Sequence, residues 1–269
     1  WDYIKNSGNF PEAANLTLEW VGQVPGKRES RRFEGPYMLT QRDVVERPQH
    51  PDAVAFGGWS IDLHPADGVY SALAGSHHLF TKGPYGIPWR CYYSRNVHNL
   101  CFGGRLISSS HVAFGSTRVM LTGAHGGQAV GMAAALCRQY QCLPRDLHQG
   151  DRMRHLQRQL MRSGQDIWGL PLHDAADLVT SATLSASSTY GLRELPPDGP
   201  PWTLADHSLA QLIPVATGEA PAITLTMEAR AAATLAVSWR TTSRLDHFTP
   251  DVLLSEHQIA VPAGADQAV

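Results

Sequence analysis

Four cysteines in 269 residues are too few to staple a disulfide scaffold. Cys91, Cys101, Cys137 and Cys142 contain no Cys-x-x-Cys pair, so neither a zinc knuckle nor a four-cysteine iron–sulfur cluster has its ligands. A charge excess of either sign is also lacking: 22 basic residues against 24 acidic leave −2. That balance gives little support to a protein that tracks nucleic-acid phosphates. No apolar run approaches the ~20 residues of a membrane helix, and no signal or transit segment is visible. No internal repeat occurs. With 43% apolar residues, the chain reads as soluble and globular, with a core of its own. At roughly 100–200 residues per domain it should form one large domain or two modest ones.

Within those bounds the texture changes along the chain. Glycine and proline punctuate residues 1–50, which leaves room for short elements and a helical turn at Gln41–Glu46. Asp52–Phe56 and Trp59–Leu63 read as two strands around Gly57-Gly58, a hairpin-like pattern. Residues 65–86 read as a surface loop, with His77-His78 exposed. Ile87–Tyr93 and Leu100–Phe102 read as strands, with Cys91 and Cys101 as buried thiols.

From about Ser116 to Tyr140 there is no proline, and small residues dominate a long predicted helix. A glycine inside a helix costs up to ~1 kcal/mol against alanine. Gly123, Gly126, Gly127 and Gly131 must therefore recover that cost through close approach, either to a sheet or to a ligand at the helix start. Asp151–Ser163 carries Met153, Leu156 and Leu160 on one stripe, with Gly164 as its stop. Leu195 to Pro201 is a turn-rich boundary. Beyond it, Gln211–Val215, Ala222–Met227 and Thr234–Trp239 alternate as antiparallel strands do, which predicts a partial all-β module. Asn15-Leu16-Thr17 is a glycosylation sequon of the kind chance supplies.

The densest chemical pattern runs from Gly103-Gly104-Arg105 through Ser108, His111 and Gly115-Ser116 to Arg118-Val119-Met120. A glycine turn followed by a helix start gathers backbone N–H groups, a helix dipole and arginines around one place, which suits something anionic or electron-rich. Asp62 and His64, two apart on a predicted strand, point to one face. With His111 they make a candidate acid/base group. Lys27-Arg28-Glu29-Ser30-Arg31-Arg32 sets four positive charges around one negative.

The segment Asn99-Leu100-Cys101-Phe102-Gly103-Gly104-Arg105 through Val119-Met120, running on into Gly127-Gln128-Ala129-Val130-Gly131, resembles the C-terminal flavin segment of the FAD-dependent oxidoreductase family. The similarity extends to residues 26–32, to Gly57–His64 and to Ile87–Arg95, and so spans roughly residues 1–167. That family has the two-dinucleotide-binding flavoprotein fold and is distantly similar to fumarate reductase flavoprotein subunits. The resemblance implies an α/β chain: a substrate-side region over 1–98, the closing part of a Rossmann-like FAD-binding domain over 99–167, a linker over 168–205, and a partial β-sandwich-like module over 206–269.

It also implies roles by position. Gly104 and Arg105 would lie beside the ribityl and pyrophosphate of FAD. Val119 and Met120 would offer backbone N–H groups to the pyrimidine end of the flavin, and Arg118 a full charge. Ser108, His111 and Ser116 would line the cofactor or the adjoining pocket. Arg28 and Arg31 would orient the flavin or an anionic group of a small hydroxylated or carboxylated substrate, and His64 or His111 would move its proton.

One family element is missing. The Gly-x-Gly-x-x-Gly turn that binds the FAD pyrophosphate occurs nowhere in the chain. The expectation is a downstream piece of a longer flavoprotein, with Trp1 and Val269 as cut ends, that holds FAD weakly or not at all. Two other readings compete. One is a non-catalytic carbohydrate-binding protein that uses some of its seven tryptophans. The other is a metal-assisted hydrolase built on Asp62, His64 and His111, a spacing that matches no familiar ligand set.

Overall fold

Helices and strands follow one another in blocks through a computed structural model that describes all residues except 25, 27, 30, 149, 190, 192–195, 197–198, 205–207, 216–221 and 269. For residues 265–268 it describes the backbone alone. Trp1–Ala175 together with Arg244–Thr249 form one unit; Ala176–Ser243 and Pro250–Val269 form a second. The first contains α1 (Asp2–Asn6), α2 (Gln41–Glu46), β1 (Ala53–Gly57), β2 (Ile61–Leu63), β3 (His77–Leu79), β4 (Tyr85–Pro88), α3 (His111–Thr117), α4 (Met120–Tyr140) and α5 (Gly150–Arg162).

β1 is almost wholly apolar and buried, and it organises the core. One edge pairs antiparallel with β4, Ala55 facing Ile87 and Gly57 facing Tyr85. The other edge is closed by side chains. The Gln157 amide of α5 donates to the carbonyls of Pro51 and Ala53 at 2.9 Å each, and Gln165 donates to Val54 at 2.6 Å. Buried glutamines thus take the place of a missing neighbour strand and satisfy carbonyls that burial would otherwise orphan. α4 and α5 pack on β1 and on each other, with Ala129, Ala133, Met153, Leu156 and Leu160 inside. The α5 stripe is as its spacing predicts.

Several local expectations give way to tertiary packing. β1 and β2 do not form a hairpin: β1 pairs with β4, and β2 pairs with β3. Tyr85, Ile87 and Pro88 are buried on β4, whereas Ile61 is the sole fully buried residue of β2, so the apolar partner wins β1. The strand expected over Ile87–Tyr93 stops at Pro88 and tightens into a 3-10 turn at Trp89–Cys91. There the Asp52 carboxylate takes two hydrogen bonds from the Arg90 side chain, at 2.9 and 3.0 Å. Leu100–Phe102 contributes one bridge, Tyr93 to Cys101. The long helix begins at Met120, after a separate α3 whose first turn is capped by the Ser110 hydroxyl, 3.2 Å from the Ala113 amide. All four cysteines are free thiols, Cys91 buried and Cys101 half-buried. Burial and the neighbouring Cys142 push Cys137 up to about 12.

The helical glycines divide into two kinds. A Cβ on Gly126 would lie 2.4 Å from the ring of the fully buried Tyr92, while one on Gly127 would meet nothing within 4 Å. Gly126→Ala should therefore destabilise the protein by about 1–3 kcal/mol despite its better helix propensity. Gly127→Ala should stabilise it by up to ~1 kcal/mol. Paired melting curves check both signs.

The second unit holds β5 (Thr226–Ala229), β6 (Ala233–Thr241), β7 (Val252–Val261) and β8 (Gly264–Ala268). β6 pairs with β7 and β5 with β8, all antiparallel. Thr234–Trp239 falls inside β6, and Ala222–Met227 reaches strand at its last two residues. Gln211–Val215 is irregular. Of the turn-rich boundary, Leu195, Pro197 and Asp198 lie outside the described residues.

Candidate functional site

Gly115 sets up the site. A Cβ there would sit 2.8 Å from the Asp62 carbonyl, so glycine lets α3 lie directly on β2. That contact brings Arg118, just past the end of α3, onto Asp62. The Arg118 Nη2 donates to Asp62 Oδ2 at 2.5 Å and to His64 Nε2 at 2.8 Å. Both the Asp62 and Arg118 side chains are 12% exposed. Ser76 donates to Asp62 Oδ1 at 2.7 Å, and His78 Nε2 stands 3.7 Å from the same oxygen. Burial works against the Asp62 charge, but the Ser76 donor and then Arg118, His64 and His78 outweigh it and hold the carboxyl below its usual range. Asp62 and His64 do share a face, as their spacing predicts, with His64 Nε2 3.4 Å from Asp62 Oδ2.

His111 does not join them. It opens α3 with its imidazole 64% exposed and its Nδ1 2.8 Å from Glu29 Oε1. Glu29 also pairs with Arg32, whose Nε donates to the Ser109 carbonyl at 2.9 Å and whose guanidinium lies over the Phe114 ring. Arg28 and Arg31 are exposed and form no ion pair among the described residues; Lys27 and Ser30 lie outside them. The three-residue set a metal-assisted hydrolase would use is therefore split between two places. In the basic string, Arg32 is the residue that docks. Its signal was membership of the same run, one position beyond Arg31.

The second half of the site is the start of α4. Val119 is extended at its N-cap, and no side chain caps the helix, so the first-turn amides lack intrahelical acceptors. Met120 is 89% exposed and Leu121 82% exposed at the same tip. Against it lies the 3-10 turn Gly104–Leu106, with Gly104 at φ +58. A Cβ on Gly123 would come 3.3 Å from the Gly104 Cα, so backbone meets backbone. Arg105 projects from this turn, exposed. Ser108 and Ser116, expected to line the pocket, are instead fully buried. Ser116 Oγ donates to the Trp59 carbonyl and pairs with the Tyr85 hydroxyl, both at 2.6 Å. The Ser108 hydroxyl is buried without a hydrogen-bond partner among the described residues.

A family model described as FAD dependent oxidoreductase matches residues 1–160. The chain belongs to that family. Comparison with curated proteins and with solved structures gives no match. FAD is accordingly the cofactor of this FAD-dependent oxidoreductase, and the residues at the α4 tip suit part of it. Uncapped amides, bare apolar side chains and a turn without a Cβ fit a flat ring with an electron-rich edge. No helix among the described residues is long and apolar enough to cross a membrane.

The site residues missed in the sequence, Ser76 and His78, come from the segment expected to be surface loop. His78 is tied down through its Nδ1, 2.7 Å from the Ser60 hydroxyl. No spacing rule links residues 60, 62, 76 and 78; the β2–β3 register does, placing Asp62 opposite His78.

Proposed function

We propose that this chain forms the flavin-ring side of an oxidoreductase that moves a hydride between a C–H bond of a small polar substrate and flavin N5. The observation that carries the reading is the Arg118–Asp62–His64 cluster, which ends two residues before the uncapped start of α4. An acid/base group therefore stands beside the place that suits the ring edge. When bound, FAD supplies the two-electron acceptor. The residues of the chain supply the rest.

The α4 amides would stabilise negative charge at the ring edge. Arg118 acts differently from the expectation of a free flavin-facing charge, because Asp62 already neutralises it. His64 would take the hydroxyl proton as the C–H bond gives up its hydride. Arg28, Arg31 and Arg105 would provide a cationic rim for a carboxylate on the substrate, with His111 as a hydrogen-bonding group. Family membership favours this reading over a carbohydrate platform, and no two tryptophan rings stack on each other among the described residues.

The absent Gly-x-Gly-x-x-Gly turn bears on affinity. We place the pyrophosphate anchor outside these 269 residues. Titrating FAD into this chain should give a Kd of about 10 μM or weaker, followed by quenching of flavin fluorescence. A longer form carrying the anchor should bind at least a hundredfold tighter, be yellow, and bleach with a 2-hydroxycarboxylate from a substrate panel. Nanomolar binding by the 269-residue chain would remove the need for an external anchor. A colourless long form would remove the oxidoreductase reading.

A further inference from the structure

We propose that Arg118 is a positioning residue that locks His64 in one neutral tautomer, and that a proton arriving at His64 exchanges the partner of Nε2, from Arg118 to Asp62. The lock follows from donor and acceptor chemistry. A guanidinium has five N–H donors and no acceptor. Arg118 Nη2 lies 2.8 Å from His64 Nε2, so that nitrogen presents its lone pair. The other ring nitrogen, Nδ1, lies 2.8 Å from the Gly75 carbonyl, which can only accept, so Nδ1 carries the hydrogen. Both nitrogens are engaged, and the ring has one tautomer.

The exchange follows from a third distance. Asp62 Oδ2 stands 3.4 Å from the same Nε2 while it holds Arg118 at 2.5 Å. Once Nε2 carries a proton, it faces Arg118 as donor against donor and charge against charge, and it faces Asp62 as an ion-pair partner. The arginine must give up Nε2, and Asp62 Oδ2, with two lone pairs, can receive the imidazolium beside it. The charged and titratable groups around His64 are Asp62 on β2, Arg118 after α3, and His78 on β3, which approaches the far oxygen of Asp62 at 3.7 Å. His77, opposite Leu63 in the register, is exposed. Asp62 is the one anion of this group, and two cations then share its Oδ2.

The catalytic consequence rests on the reading of His64 as proton acceptor; the lock and the exchange do not. In that reading Nε2, once released by Arg118, would take the proton of the substrate O–H bond. A C=O bond would form as the C–H bond gives up its hydrogen with the electron pair, for which bound FAD would be the acceptor. Arg118 would have to leave Nε2 for the proton to arrive, which frees one guanidinium N–H beside the α4 start while Asp62 keeps its hold on the arginine. Proton uptake and release of that donor would be one event.

Long-range proton–nitrogen NMR on the 269-residue chain with ¹⁵N-labelled histidine, free of FAD, tests the lock, with H64Q assigning the resonances. At neutral pH the wild-type ring should show a protonated Nδ1 and an unprotonated Nε2. Arg118→Met should leave Asp62 as the remaining partner and turn Nε2 to its protonated shift; R118K, which still donates, should restore the wild-type pattern. A wild-type Nε2 that is already protonated overturns the proposal, even if R118M fails to fold. An R118M spectrum identical to wild type overturns it as well. A spectrum as expected, combined with undiminished flavin reduction by H64Q in the FAD-loaded long form, keeps the lock and removes His64 from the proposed reaction.

Discussion

Replacing Asp246 by alanine lowers the stability of the first unit by about 1–3 kcal/mol, the loss expected when a buried donor is left without its half-buried partner. Its main partner, Arg47, has a side chain 3% exposed and ends α2 in the left-handed region at φ +53. Arg47 Nη1 donates to Asp246 Oδ2 at 3.1 Å and to the Asp246 carbonyl at 3.2 Å, while its Nη2 is buried without a partner. Without the carboxylate, the guanidinium keeps its desolvation cost and loses its counter-charge. Trp168 Nε1, 3.2 Å from the same oxygen, loses its acceptor too. Arg244, 45% exposed, adds little to the loss because water replaces its partner.

The effect has a pH signature. Burial disfavours the Asp246 charge, but the Trp168 N–H, Arg47 and Arg244 outweigh it and depress the folded-state value below the ordinary carboxylate range. A depressed acid contributes stability above its unfolded value, roughly 3.9, and loses it as pH falls through the folded value. Denaturant titrations of wild type and D246A should therefore diverge most at pH 7 and draw together as pH falls through the depressed folded-state value. A gap that stays constant with pH would show that the carboxylate charge is not the stabilising element.

H64Q in the FAD-loaded long form should slow flavin bleaching by a 2-hydroxycarboxylate about 10²- to 10⁴-fold, the range for loss of a positioned general base. Glutamine keeps a polar side chain of similar reach but cannot hold the proton. Because the hydride and the proton leave in one reaction, the fall should appear in the single-turnover rate more than in substrate affinity. H77Q, on the exposed face of β3, controls for general damage to the β2–β3 pair. Equal rates for H64Q and H77Q in stopped-flow traces would rule out the assignment.

What the sequence made legible were features whose determinants are local. The α5 stripe, the α2 turn and the shared face of Asp62 and His64 depend on periods of 3.6 or 2, and the structure has all three. The pairing of β1 with β4 was illegible because it is settled by burial of Tyr85 and Ile87, a competition that a turn signal at Gly57-Gly58 cannot report. Gln157 and Gln165 read as ordinary polar residues, and their role exists only because β1 has, among the described residues, no strand partner besides β4. In the site, the glycine turn and helix start stood out as a pattern, but the engagement of Arg118 did not. Its partner lies 56 residues away, reached through a contact that Gly115 permits.

The face-to-face approach of Gly104 and Gly123 also constrains how this family member can change over evolutionary time. A side chain at 104 meets an unfavourable φ, and one at 123 meets the opposing Cα at 3.3 Å. The two constraints differ in kind. Position 104 favours glycine through its φ whatever stands at 123, and its own side chain would enter open space. Position 123 admits a side chain only if the opposing turn gives by a few tenths of an ångström. The spacing of the turn from the α4 tip is therefore set at 123, and its backbone shape at 104.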